Sequence, residues 1–181
     1  FLEDIVEKNL NCIHFIKTPN DQLPLFNGAT SLNLNQIQKY FEDFKPKTKR
    51  NFLGGLFKIK YKNHFLLIDV EKPPQKKFSK SYQSGPLSFE YFLDNVKIIT
   101  NSGFGLNISK KAELLSRLTA CQSTLTINDT SITKFEKNEM VSKIFGNSVQ
   151  DSFKSFNFSS INENHLIGCS ASNNGYEKNF G

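Results

Sequence analysis

Apolar residues recur at three-to-four spacing at the start of the chain. Leu2, Ile5, Val6, Leu10, Ile13 and Ile16 share one face, opposite Glu3, Asp4, Glu7 and Lys8. That period predicts a helix over 1–17, stopped by Thr18-Pro19-Asn20-Asp21. A short apolar piece, Leu23-Pro24-Leu25-Phe26, then runs into Asn27-Gly28, a strong turn pair. Leu34, Ile37, Tyr40 and Phe41 predict a second helix over 33–43, broken at Lys45-Pro46-Lys47.

From about residue 52 the period becomes two. Leu56, Lys58, Lys60 and Lys62 alternate with Phe57, Ile59 and Tyr61, and Lys62-Asn63 turns the chain into His64–Val70, a predicted hairpin. Pro73 through Lys80 reads as a basic loop. A second hairpin is predicted from Leu87–Leu93 and Val96–Thr100, joined at Asp94-Asn95. Residues 109–118 read as one short helix and Ser123–Asn128 as a strand. Phe153–Phe158 and His165–Ser172 read as an antiparallel pair around Asn162-Glu163-Asn164, and Asn174–Gly181 as an unfinished strand. The sequence, starting at Phe1, thus reads as a fragment. Helices first and hairpins afterwards predict a mainly β (α+β) chain with segregated architecture, and short strands with tight turns favour an antiparallel sandwich.

At 181 residues the chain is long enough for about one domain of roughly 150 residues. Its 38% hydrophobic and 22% charged residues are those of a folded chain. It has 18 Phe and no Trp, which excludes a Trp-based sugar platform. No apolar run reaches the roughly 18 residues of a membrane span. Cys12, Cys121 and Cys169 are odd in number and far apart, so buried free thiols are expected rather than disulfides or a zinc knuckle. The Asn-x-Ser/Thr triplets at Asn107, Asn128 and Asn157 are expected by chance in an Asn-rich chain.

The net charge of +6 is uneven. Residues 45–80 hold eleven Lys or Arg against Asp69 and Glu71, a net +9, and the remainder is −3. Such a balance admits nucleic acid, anionic lipid or an anionic polysaccharide, beside a merely solvated basic surface. The alternation of Lys with Phe and Tyr over 52–62 is better explained by a strand with one core face than by base stacking.

Local catalytic signals are few. His14, His64 and His165 share no metal-ligand spacing. There is no phosphate-binding loop or nucleophile elbow, and Gly103-Phe104-Gly105 reads as a turn. Two stretches are less generic: Tyr82-Gln83-Ser84-Gly85-Pro86-Leu87-Ser88-Phe89-Glu90, and Thr119–Thr130. Each leaves a turn-like stretch to enter a strand, so both can line one site at a sheet edge. Ser88, Ser123 and Thr124 can equally be plain strand residues.

These stretches resemble motifs of the heparinase II/III-like proteins, especially the bacterial branch of uncertain substrate. Leu87-Ser88-Phe89-Glu90 is similar to the end of the first motif of that family's β-domain. Ser123-Thr124-Leu125 and Asn128-Asp129-Thr130 are similar to the second. Leu23–Gly28 resembles the segment after the helical domain, and Asn173–Gly181 a later one. Four such matches fall in order across nearly the whole chain.

The resemblance implies an α/α toroid followed by an antiparallel β-sandwich. Residues 1–50 would be the end of the toroid and a connector, and 51–181 the first part of the sandwich domain. It implies part of a polysaccharide lyase that acts on uronic-acid-containing chains by β-elimination, in the periplasm or cytoplasm of a bacterium. The usual base and acid, a Tyr and a His, come from the helical part, so no catalytic residue is assigned here. The expected partner is an anionic polysaccharide or oligosaccharide rather than nucleic acid, with the basic stretch supplying a long-range pull.

Gln83 and Gln122 stand where the motifs carry His, and Gly85 where the first carries Asp. In metal-bearing relatives these positions contribute to a zinc site. Amides are poor zinc ligands and glycine has no side chain, so no metal and no cofactor are expected. Asn27, Gln83, Glu90 and Gln122 are the candidate substrate-binding residues. Asn27 also reads as a turn residue, and Glu90 as a surface strand residue or ion-pair partner. The substitutions motivate the alternative of a non-catalytic carbohydrate-binding or structural β-domain.

Overall fold

The computed structural model describes residues 1–30, 32, 34–47, 50–163 and 166–181. Helix α1 (Leu2–Ile16) opens the chain with Glu3 and Asp4 in its first turn, where the positive end of the helix favours acids. Its apolar stripe is only partly covered. Leu10 is buried, whereas Leu2, Ile5 and Val6 are exposed. The anchor is Phe15, which lies outside the aliphatic spacing. Its ring is fully buried, and the Lys58 ammonium lies 4.4 Å from the ring centroid. The same ammonium donates a 2.8 Å hydrogen bond to the Phe15 carbonyl. A cation there satisfies an open carbonyl at the negative end of the helix. A 3₁₀ turn (Leu34–Ile37) leads into α2 (Gln38–Phe44).

The period-two region folds into a five-stranded antiparallel sheet. Its strands are β1 (Phe52–Leu53), β2 (Leu56–Tyr61), β3 (His64–Asp69), β4 (Phe89–Leu93) and β5 (Val96–Ile99), adjacent in that order. Both predicted hairpins form. At the second, Asp94 and Asn95 take φ of 48° and 65°, the left-handed pair that a two-residue hairpin turn requires. Cross-strand partners Phe65↔Phe92 and Leu67↔Glu90 fix the register. One face therefore carries Phe65, Leu67 and Phe92, which form the core with Phe15 and Phe26. Phe65 and Phe92 meet edge to face at 5.7 Å.

The other face carries Phe57, Ile59, Leu66, Ile68, Phe89 and Tyr91. Helix α3 (Lys110–Leu115) lies within the predicted span, and the Ser109 hydroxyl caps it by accepting from Ala112 N at 3.0 Å. A small pair, β6 (Lys134–Phe135) and β7 (Val149–Asp151), brackets helix α4 (Glu139–Phe145). The hairpin of β8 (Phe156–Glu163) and β9 (Leu166–Asn173) forms a separate two-stranded sheet. Phe158 of that hairpin stacks on Phe52 at 5.4 Å and meets Phe57 edge-on at 5.5 Å. The hairpin thus lies against the second face, giving the predicted layered antiparallel architecture. Asn164 and His165, in its predicted turn, are outside the described residues.

Three expectations are corrected. Ser123–Asn128 is not a strand: only an isolated bridge, Ile127↔Thr130, forms there. The Ser123 amide is held by Asn101 Oδ1 at 2.9 Å and the Thr124 hydroxyl donates to Pro86 O at 2.6 Å, so side-chain ties replace a ladder. The end of the chain contains the single-turn helix α5 (Glu177–Phe180), not a strand. The thiols are free but not buried: Cys12 is exposed on α1, and Cys121 and Cys169 are half-buried. Among the described residues no helix is long and apolar enough to cross a membrane.

Replacing Phe92, which has no exposed surface, by Ala is expected to cost about 3–5 kcal/mol. Denaturant unfolding of the two proteins checks this.

Candidate functional site

The two singled-out stretches do meet. Ser84 Oγ and Thr119 Oγ1 share a hydrogen bond of 2.8 Å, and Phe89 N donates to Ser123 Oγ at 3.0 Å. At the centre the Ser116 carbonyl accepts from Gln83 Nε2 at 2.9 Å and from Gln122 Nε2 at 2.7 Å. Gln83 is nearly inaccessible, at 2% exposure. Its second amide hydrogen goes to Gly103 O at 3.0 Å, and its Oε1 accepts from Gly28 N at 3.0 Å. One amide therefore ties together the turns at 28, 103 and 116.

The candidate zinc positions thus converge, but their chemistry does not suit the ion. Both Gln83 amide hydrogens are committed to carbonyls. A Cβ on Gly85 would stand 2.9 Å from both Gln122 Cγ and Ser88 Oγ, so the Gln122 side chain fills the place of a residue-85 side chain. Among the described residues no group of three or more His, Cys, Asp or Glu is placed to hold a metal.

Glu90 is fully buried on the core face of β4. Its Oε1 accepts from Thr100 Oγ1 at 2.6 Å, Leu25 N at 3.2 Å and Asn101 N at 3.4 Å, and its Oε2 faces Lys97 Nζ at 3.9 Å. It pins the 23–28 segment to the sheet, which fits the ion-pair reading better than that of a surface strand residue.

Arg117 was not singled out by the sequence, yet it is the largest fully buried side chain described. Its guanidinium donates to Tyr82 O at 2.9 Å, to Ser79 O at 3.0 Å and to Asn147 O. It also stacks 3.9 Å from the Phe135 ring centroid. Burial pulls its pKa down to about 10, against the opposing pull of Glu113, so it stays protonated at neutral pH.

Asn27 is the candidate that reaches open space. It lines a cleft of about 400 Å³ with Phe26, Asp69, Lys72, Phe78 and Tyr82. The turn puts Asn27 at φ 45°, a conformation asparagine tolerates well. Its Nδ2 donates to Asp69 Oδ2 at 3.2 Å, while its Oδ1 accepts from Gln83 N at 3.4 Å. Asp69 Oδ1 accepts from Glu71 N at 3.3 Å. Burial pushes the Asp69 carboxyl up to about 7, and the hydrogen bonds from Asn27 and Glu71 oppose it. Burial also pushes up the Tyr82 phenol, with the Asp69 charge adding to the shift. The cleft thus combines apolar walls, the charged side chains of Lys72 and Glu71, and at Asp69 a carboxyl raised to about 7. The sequence offered no sign of Asp69 beyond its place at a strand end.

The sequence model described as "Heparinase II/III-like, C-terminal" matches residues 47–181. Among solved structures, a heparan sulfate lyase HepC mutant from Pedobacter heparinus superposes with TM-score 0.63 at 18% identity, covering 94% of this chain and 28% of that one. A heparinase III superposes with TM-score 0.55 at 16% identity, covering 75% of this chain and 28% of its own. At such identities the likeness establishes the fold. The chain spans under a third of the length of these structures. No curated protein matches it in sequence.

Two outcomes are expected. Arg117→Ala strands three buried carbonyls and is expected to cost about 3–5 kcal/mol, read from denaturant melts. Because the folded Asp69 pKa is raised from 3.8 to about 7, the protonated form favours folding. Its contribution is full below the unfolded value and is lost as pH rises through about 7. Asp69→Asn should therefore gain stability relative to the parent between pH 4 and pH 8, measured as the difference between paired melts.

Proposed function

The chain belongs to the heparinase II/III-like family, by the match of residues 47–181 to its C-terminal domain, and from this we propose that it is part of a polysaccharide lyase. In this reading residues 1–50 end the helical toroid domain and 51–181 are sandwich. Its substrate is an anionic, uronic-acid-containing polysaccharide, cleaved by β-elimination. The family match carries the proposal, and the cleft at Asn27 supports it.

The elimination removes the C5 proton of a uronate and expels the 4-O leaving group. It needs the carboxylate neutralised, a base for the proton and an acid for the oxygen. Lys72 offers a cation at the cleft, and Asn27 keeps one amide hydrogen beyond its bond to Asp69. The resemblance puts the main base and acid in the helical domain. We assign Gln83, Glu90 and Gln122 to holding the cleft walls, since all three are buried, and Asn27 to contacting sugar.

A second reading is favoured by one observation: the two motif glutamines and Gly85 form a closed cluster with no titratable group. It makes this domain a binding or structural module without turnover.

The full-length parent is expected to raise the ultraviolet absorbance of unsaturated uronate on at least one of heparan sulfate, chondroitin, alginate or pectic polymers. Asn27→Ala should lower kcat/KM by about tenfold. No rise on any of the four would overturn the lyase, and binding without a rise would favour the module.

A further inference from the structure

A second candidate region lies away from the Asn27 cleft, around β6 and β7. A groove of about 900 Å³ has an apolar floor of Leu114, Leu118 and Phe135, with Lys110, Lys134 and Lys137 among its lining residues. A hollow of about 440 Å³ shares Lys134 and adds Lys154 and Lys178. Both volumes fall in the range of small-ligand sites. The carboxylates lining them are Glu136 and Asp151, and each is already paired. Glu136 meets Lys76 at 3.1 Å, and Asp151 meets Lys178 at 2.9 Å. Among the described residues Lys110, Lys137 and Lys154 make no ion pair within 4 Å, while Lys134 stands across the ladder from Asp151. Three ammonium groups outside those ion pairs, with Lys134 opposite Asp151 in the β6–β7 ladder and acting on its carboxylate, therefore border two concavities that share Lys134.

The floor has a particular stiffness. The guanidinium of Arg117 lies 3.9 Å from the Phe135 ring centroid and is itself held by three carbonyls. Leu114 and Leu118 remain 49% and 36% exposed, so the groove keeps apolar surface open to solvent. Apolar floor and cationic border together suit a ligand with C–H faces and regularly spaced anionic groups. That is the chemistry of an acidic sugar chain.

We propose that these two concavities form a continuous secondary track for an anionic oligosaccharide, with Lys134 at the junction and Phe135 under the sugar rings. The track rests on the anionic-polysaccharide part of the reading above, and adds a site separate from the Asn27 cleft. It lengthens the stretch of polymer the domain holds, so it distinguishes long chains from short ones.

The test uses the full-length parent and a carboxyl-reduced heparan sulfate dodecasaccharide, whose sulfates remain but which cannot undergo β-elimination. A disaccharide of the same material is the short control. Lys134→Ala/Lys137→Ala/Lys154→Ala is expected to weaken dodecasaccharide binding by roughly tenfold and to flatten its salt dependence. Disaccharide binding should stay unchanged. The three side chains are exposed, and a matching thermal melt confirms that the variant is folded. Equal dodecasaccharide affinity in variant and parent overturns the track and leaves the lyase reading standing. Equal losses for both lengths overturn it too, since they report only a general field. A single-stranded DNA of equal charge that binds more tightly through the same lysines overturns the carbohydrate assignment. Lysine-dependent dodecasaccharide binding without cleavage of any uronic-acid polymer supports the track and overturns the lyase.

Discussion

A buried arginine bonded to carbonyls rather than to a carboxylate organises the part of this protein that is not sheet. The connections 70–88 and 100–133 are long, and their backbone groups have few ladder partners. Each buried amide and carbonyl must still find one. Arg117 answers three carbonyls at once, at Ser79, Tyr82 and Asn147. The neighbouring Ser116 carbonyl gathers the two motif glutamines. A planar fork can serve three directions where an ammonium serves its donors from one point. The loops that wall the cleft therefore take their positions from residues 116 and 117.

Much of the sheet was legible because its signals are local. Alternation over 56–70 and 87–100, closed by Lys62-Asn63 and Asp94-Asn95, contains both hairpins of the main sheet. The β6–β7 pair was not legible, because strands of two and three residues carry no period. Ser123–Asn128 misled for the opposite reason: its alternation is real, but its hydroxyl and amide groups are drawn to other loops. Phe15 was missed because burial at a helix end follows the neighbouring sheet and not the helix stripe.

The site was legible in part. The stretches around Gln83 and Gln122 do converge, and Asn27 does line a cleft. What sequence could not supply was depth. Gln83, Glu90 and Gln122 are committed to the protein's own backbone, whereas Asp69, read from sequence only as part of a charge count, lines the cleft beside Glu71. Arg117 did leave a trace: only two of the 23 cationic residues are arginine. An amide cluster keeps the same bonds at every pH, whereas the Asp69 carboxyl beside it changes charge near pH 7.

The grip on Phe15 has a mechanical consequence. Helix α1 is held at its last turn by its ring in the core and by Lys58 on its carbonyl, while its first two turns carry an uncovered apolar stripe. The helix end is therefore fixed to the sheet core. Phe26, beside the cleft, belongs to the same core cluster. Ile16 packs on the same core and lines the cleft, so a change of side-chain volume at the helix end is felt at the cleft wall through direct packing.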